Sequence, residues 1–517
     1  MSARRKRLLL CLSLLAAAVV CGPTSQAPPL SRPNVLWIVW DTVRADRFTL
    51  YGFPKETTPF VEKWAADALV FDNCVSTANY TLPSHASMFT GLLPSEHGAH
   101  NDYAFLDDEF TTIAELFRDA GYETYLFSAN PHISAEENFA QGFQTAEHPW
   151  DEKHREKAIE TVLAKVPEYD RTSALSGKLQ AGRFGRWNIK ASGEIIKDAV
   201  LEWVEENRDR KKPYFVFLNY MEAHQPYAPP EEYRKRMMPE RDVRTSYEIN
   251  RFWAAFWRYT FGLKDYTPKQ IEITAATYDA TVAELDDLFK GLITTLDAAG
   301  HLRNTIVVLT SDHGEQLGEH HMFDHQYSLY EPLLRVPLIV RYPGKIPAGR
   351  ESRPVVNYDL FPTLLRLAGV EMPESLKTHA VDLLTPDENR IRLAECLGIF
   401  EGPFEMVQRI HPSWDSTPWT RELRAWMEGG HKYIWASDGR HSLYDIANDP
   451  GEEENLVAEA PSLAGEMDED LQAFLATLSI AEPKEKAPPQ MSDEHRDLLR
   501  SLGYIDSYGS ADSGGGR

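Results

Sequence analysis

The sequence predicts an α/β protein in which a large, mostly parallel central sheet is flanked by helices and followed by a small C-terminal antiparallel α+β subdomain. Three observations carry this. The runs 34–40, 214–220 and 305–310 are short, almost wholly apolar and rich in β-branched or aromatic residues, the composition of strands covered on both faces. Amphipathic helical patterns at 59–68, 112–120, 193–207 and 268–299 fall between them, and such alternation gives a helix-sheet-helix sandwich. From about residue 385 the pattern turns to short strands, including 431–435 and 442–446, with helices from 459 onward.

Taken from the N-terminus, Arg4-Arg5-Lys6-Arg7 precedes an apolar run from Leu8 to Val20. A basic start and a run shorter than the ~20 residues of a spanning helix make residues 1–21 an export signal. The mature chain is therefore expected outside the cytoplasm, periplasmic or extracellular. Cys21 follows the run at once and leaves lipid anchoring open beside ordinary cleavage, with bulky Val20 counting against the lipid. Residues 22–32 read as a linker and 33–384 as the main domain, with helical insertions near 145–190 and 231–267. Residues 385–506 form the smaller domain, and 507–517 read as a disordered tail.

With 517 residues and 43% apolar content, the chain can build both cores. The aromatic stretch 252–259 reads as a packed helical cap rather than a substrate platform. A formal net charge of −24 excludes a non-specific nucleic-acid binder, which needs Lys and Arg against phosphates. Of the four cysteines only Cys74 and Cys396 fall in the mature fold, and neither belongs to a Cys-x-x-Cys pattern. Two separately buried thiols are expected, and a cysteine zinc site is not.

Parallel sheets hold their ligands just past the carboxyl ends of the strands. That rule selects Asp41, then Glu222 and His224, then Asp312-His313-Gly314. Hard carboxylates with one imidazole can hold a divalent cation, so Asp41, Asp312 and His313 are the metal candidates. Thr81 stands just before Pro83, which suits the first turn of a helix. Its hydroxyl then lies at a helix N-terminus, where backbone N–H groups favour anions. Taken alone, this leaves a plain N-cap role open.

Four segments bear a wider likeness: Asp41 to Asp46, Asn79 to Gly91, Met221 to Tyr227, and Ser311 to His320. With Leu329-Tyr330-Glu331, Arg335 to Val340 and Leu443 to Glu452, they resemble, in order, the motifs of the sulfatase branch of the alkaline phosphatase superfamily. The resemblance spans about 33–505. It implies that Asp41, Asp312 and His313 ligate the metal, with Thr81 at the nucleophile position and among the ligands. It further implies that His224 and His325 face the transferred group and the leaving oxygen, as general acids or hydrogen-bond donors. His320 and His321 compete with His325 for that role. Arg44 and His85 join His325 as substrate-binding candidates.

The chain departs from a formylglycine sulfatase at several linked positions. Formylglycine is made from cysteine or serine, and Thr81 cannot supply it. The signature's arginine position is His85, and the basic residue expected after the Thr-Gly pair is Leu92. Thr42 replaces the second of the paired aspartates, and His313 replaces the usual asparagine. An oxygen and nitrogen donor set favours manganese or zinc, with calcium still admissible. The expected activity is metal-dependent cleavage of a phosphoester or phosphodiester through Thr81, using one metal ion. Small-molecule, lipid-headgroup and saccharide esters are the candidate substrates. The rivals are a sulfuric ester hydrolase working without formylglycine and a non-catalytic binding protein on a degenerate sulfatase fold.

Overall fold

The structure, a computed structural model, describes residues 32–165, 189–249, 253–387, 390–481 and 491–502. The export signal, Cys21, much of the 145–190 insertion and the 507–517 tail lie outside the described residues. Among the described residues no helix is long and apolar enough to cross a membrane.

The central sheet has eight strands: β1 (Asn34–Trp40), β2 (Leu69–Phe71), β3 (Glu123–Ser128), β4 (Thr145–Glu147), β5 (Tyr214–Tyr220), β6 (Thr305–Thr310), β7 (Leu338–Arg341) and β8 (Gly349–Glu351). Their order is β8-β2-β7-β6-β1-β5-β3-β4. Every neighbour pairs in parallel except β7, which runs against both β2 and β6. Central β1 is buried at every position, and its side chains alternate between two cores. Leu36, Ile38 and Trp40 pack with Val282, Leu285 and Phe289 of the long helix Pro268–Ala298. Val35, Trp37 and Val39 face Phe89, Phe361 and Leu364 on the opposite side. This double burial is why the strand sequence is continuously apolar rather than alternating.

The 231–267 region forms three helices, Glu231–Met237, Glu240–Ile249 and Trp253–Thr260. Phe256, Trp257 and Tyr259 of the last are buried, and the Trp257 indole donates to Asp324 Oδ2 at 2.6 Å. The C-terminal region is a four-stranded antiparallel sheet, Arg392–Cys396, Leu423–Glu428, His431–Ala436 and Ser442–Asp445, followed by helices Pro461–Leu475 and Asp493–Leu502. It is joined to the central sheet by Lys432, fully buried, whose Nζ lies 2.7 Å from both Glu331 Oε1 and Glu452 Oε1. Cys74 and Cys396 are free and buried.

Candidate active site and metal centre

Four strand ends meet at one place. Asp41 follows β1, Asn130 lies just past β3, His224 follows β5, and Asp312-His313 follows β6. Asp41, Thr81, Asp312 and His313 are all at most 1% exposed. The atoms through which Asp41, Asp312 and His313 could hold a metal lie within 4.8 Å of one another.

Each candidate ligand is held by its outer atom. Asp41 Oδ2 accepts from Asn130 Nδ2 at 2.8 Å and Asn219 Nδ2 at 3.2 Å. Asp312 Oδ1 accepts from the backbone N–H of Thr42 at 3.1 Å and of His313 at 2.9 Å. Thr42 adopts a left-handed φ of 62°, a strained conformation for a β-branched residue. His313 Nδ1 donates to the Gly314 carbonyl at 2.9 Å, which leaves the Nε2 lone pair 3.4 Å from Thr81 Oγ1. Ligand atoms anchored through their outer partners are preorganised.

The inner atoms, Asp41 Oδ1 and Asp312 Oδ2, are buried with no hydrogen-bond partner. Burial raises both carboxyl pKa values, and the neighbouring Asp41 charge raises Asp312 further. Burial also holds His313 well below its usual pKa, in the neutral form that ligates metal. Two orphaned buried carboxylate oxygens facing a neutral imidazole fit a divalent cation, whose charge offsets both the desolvation and the repulsion.

Thr81 is the first residue of the helix Thr81–Thr90. Tyr80, not Thr81, holds the N-cap position; Thr81 Oγ1 accepts from Asn130 Nδ2 at 3.2 Å. His85, one turn on, donates from Nδ1 to the Thr81 carbonyl at 2.9 Å and lies 3.5 Å from Asp312 Oδ2. Burial drives its pKa down to about 3, so it backs the ligands as a neutral ring.

His224 donates from Nδ1 to the Gln225 carbonyl at 2.7 Å, and its ring centroid is 5.0 Å from that of His325. Burial, with His325 and Lys190 nearby, holds His224 well below its usual pKa. His325 is different. Burial opposes its charge, but Asp324 at 3.0 Å and Glu315 at 3.5 Å outweigh that and lift its pKa to about 9. The site thus contains one neutral and one cationic imidazole.

The sequence candidates divide accordingly. The structure brings together Asp41, Thr81, His85, His224, Asp312, His313 and His325. Arg44 is turned elsewhere: its guanidinium is spent on Asp46 at 2.7 Å, Glu319 at 2.7 Å and the Glu315 carbonyl at 3.0 Å. His320 is likewise diverted, stacked on Tyr330 at 3.7 Å, and His321 lies against Tyr259 at 3.9 Å. Glu222 accepts from Ser192 Oγ and the Gly193 N–H, at 3.0 and 2.9 Å, away from the metal ligands. Sequence reasoning missed Asn130 and Asn219, which hold Asp41, and Lys190, whose Nζ donates to the Met221 carbonyl at 2.6 Å and to the His224 carbonyl.

A sequence model of the sulfatase family matches residues 33–370. The chain belongs to the sulfatase family. Among curated relatives the chain is 25% identical to the uncharacterized sulfatase YidJ of Escherichia coli K12, over 83% of this chain and 84% of that protein. It is also 25% identical to arylsulfatase K of Bos taurus, over 90% and 88% of the two chains. A solved phosphonate monoester hydrolase of Agrobacterium radiobacter shares the fold, with a TM-score of 0.64 at 21% identity, covering 89% of this chain and 100% of that one. Within the alkaline phosphatase superfamily, this sulfatase-family protein is a hydrolase acting on ester bonds, with an acidic and histidine group that could hold a metal.

Proposed function

We propose that this sulfatase-family hydrolase cleaves a monoanionic phosphoester, a phosphodiester foremost, with Thr81 as nucleophile. The observation that carries this is the position of Thr81 Oγ1: buried at a helix N-terminus, 3.4 Å from His313 Nε2 and held by Asn130 at 3.2 Å. Formylglycine cannot arise there, so the hydroxyl itself is the nucleophile. Thr81 Oγ1 gives up its proton to solvent and attacks phosphorus, the bond to the leaving oxygen breaks, and that oxygen takes a proton from the His224–His325 pair. Water or an acceptor hydroxyl then returns a proton to that pair as it attacks phosphorus, and the Thr81 oxygen leaves and recovers its proton from solvent. Asn130 keeps a donor on Oγ1 throughout, which stabilises negative charge on it. A divalent cation held by Asp41, Asp312 and His313, manganese or zinc for this donor set, would supply charge neutralisation and a lowered hydroxyl pKa.

Charge decides the substrate class. Among the described residues Arg44 is tied to Asp46 and Glu319, and Lys190 points at carbonyls, so His325 is the cationic side chain left to meet the substrate. One such group suits a single negative charge better than a phosphate dianion. A sulfate monoester carries the same charge, and curated relatives such as arylsulfatase K are sulfatases, which keeps sulfate as the second reading. Arg4 to Val20 and the export they predict favour action outside the cytoplasm.

Rates on bis-aryl phosphate, aryl phosphate and aryl sulfate with added manganese or zinc test the assignment. The diester should be fastest, Thr81→Ala should lose about 10³-fold or more, and acid quench should trap phosphate on Thr81. Sulfate being fastest, or Thr81→Ala keeping full activity, overturns it.

A further inference from the structure

A second polar cleft lies at the seam between the central and C-terminal sheets, with a volume of about 510 Å³. None of its lining residues belongs to the site around Thr81. Three arginines line it: Arg335, just past the short helix Glu331–Leu334, Arg390, and Arg392, which opens the strand Arg392–Cys396. The Gly429-Gly430 turn closes the C-terminal side.

The charge of Glu331 reaches Arg392 and Arg335 across the cleft, but no hydrogen bond joins it to either. Of the acids on the cleft wall, Asp72 pairs with Arg350, Glu331 pairs with Lys432, and Glu428 accepts from the Trp426 indole. Arg390 is satisfied by Asp359 at 2.8 Å. Arg392 is only 5% exposed, yet its one hydrogen bond goes to a neutral acceptor, Asn73 Oδ1, at 2.7 Å. Half-buried Arg335 gives its bond to the Asp72 carbonyl at 3.0 Å. Among the described residues no carboxylate lies within 4.0 Å of either guanidinium. The Nε atoms of all three arginines are buried without an acceptor.

A buried guanidinium with no carboxylate in contact leaves its donors open, and those forked donors match the oxygens of tetrahedral oxyanions. We infer that this cleft is an anion-binding site, with Arg392 and Arg335 receiving a phosphate or sulfate group, free or carried on a small organic molecule. The volume falls within the range of small-molecule sites, so there is room for a substituent beyond the oxyanion. The site is separate from the proposed phosphodiester chemistry and stands or falls without it.

The test uses the full mature chain carrying Thr81→Ala and stripped of metal, so that the catalytic centre contributes no anion affinity. Equilibrium dialysis with radiolabelled sulfate and phosphate should find one bound anion per chain, and Arg392→Met should weaken it about tenfold or more. Inorganic ions compared with glucose 6-phosphate and an aryl sulfate then separate a free anion from an ester-linked one. Because Arg392→Met can impair folding, Asn73→Asp serves as the second variant: it places a carboxylate on Arg392 from within. Asn73→Asp should melt higher than its parent in anion-free buffer and should lose the sulfate-dependent rise in Tm. General salting-out by sulfate is common to both chains and cancels in that comparison. Absence of anion binding to the parent, or unchanged binding in Asn73→Asp, overturns the inference.

Discussion

Gly314→Ala should damage catalysis far more than the size of a methyl group suggests. A Cβ at this position would lie 1.9 Å from the Pro332 carbonyl oxygen and 3.0 Å from Arg44 Cγ. Real Cβ atoms do not approach backbone closer than 3.0 Å, so about 1 Å of movement must be found, a strain typical of overpacking at ~1–3 kcal/mol. The backbone here has little freedom to supply it. The Gly314 N–H bonds the Leu333 carbonyl at 2.7 Å, and its own carbonyl accepts from His313 Nδ1 at 2.9 Å. Any displacement is therefore handed to the imidazole beside Thr81. Misplacing reacting groups by ~1 Å costs about 100-fold, so kcat/KM should fall by about that factor, with weaker metal affinity and a lower midpoint in urea. Gly349→Ala, with nothing within 4 Å of its added Cβ, is the neutral control. Turnover and metal affinity of Gly314→Ala within about twofold of wild type would refute the reasoning, since no 1 Å shift would then have reached His313.

Asn130→Ala removes donors from both Asp41 and Thr81 and should lower kcat about 10–100-fold, with metal affinity by isothermal calorimetry reduced as well. Chelation should abolish turnover and lower Tm, because the buried Asp41 and Asp312 charges lose the counter-charge they are arranged to receive; Asp312→Asn should narrow the Tm difference between the chelated and metal-loaded chain. Lys190 gives a pH signature. Burial pulls its folded pKa from 10.5 down to about 7, against the opposing pull of Glu222. The unfolded chain therefore binds the extra proton between those values, and stability gains up to about 1.4 kcal/mol per pH unit from this group as pH rises from 7 towards 10.5. Urea melts across that range should show Lys190→Met losing this slope relative to wild type; parallel curves would reject it.

The strands legible in the sequence were those whose double burial left no polar position to confuse the period, and 34–40, 214–220 and 305–310 coincide with β1, β5 and β6. β3 was not legible. It begins with Glu123-Thr124 and ends at Ser128, so its polar ends masked a buried strand and the ligand position beyond its carboxyl end. Applying the strand-end rule there leads straight to Asn130. Asn219 carried a different signal: a lone amide inside an apolar buried run needs a buried partner, and Asp41 is that partner. Motif likeness located Arg44 near the centre but could not show its direction, because the Asp46 and Glu319 that consume it lie two and 275 residues away. Lys190 had no legible signal, since its acceptors are backbone carbonyls.

The buried Lys432 has a consequence for what counts as a unit of folding. The match to the family sequence model ends at residue 370, and the chain could be cut after it on that basis alone. Glu331, however, lies inside the matched region and takes its counter-charge from a lysine 101 positions downstream. Severing the C-terminal sheet would leave that carboxylate facing the vacated seam without its partner, a loss of the order of 3–5 kcal/mol for a broken buried pair. The border of the family sequence model and that of thermodynamic autonomy thus differ in this chain, and the second lies well beyond the first.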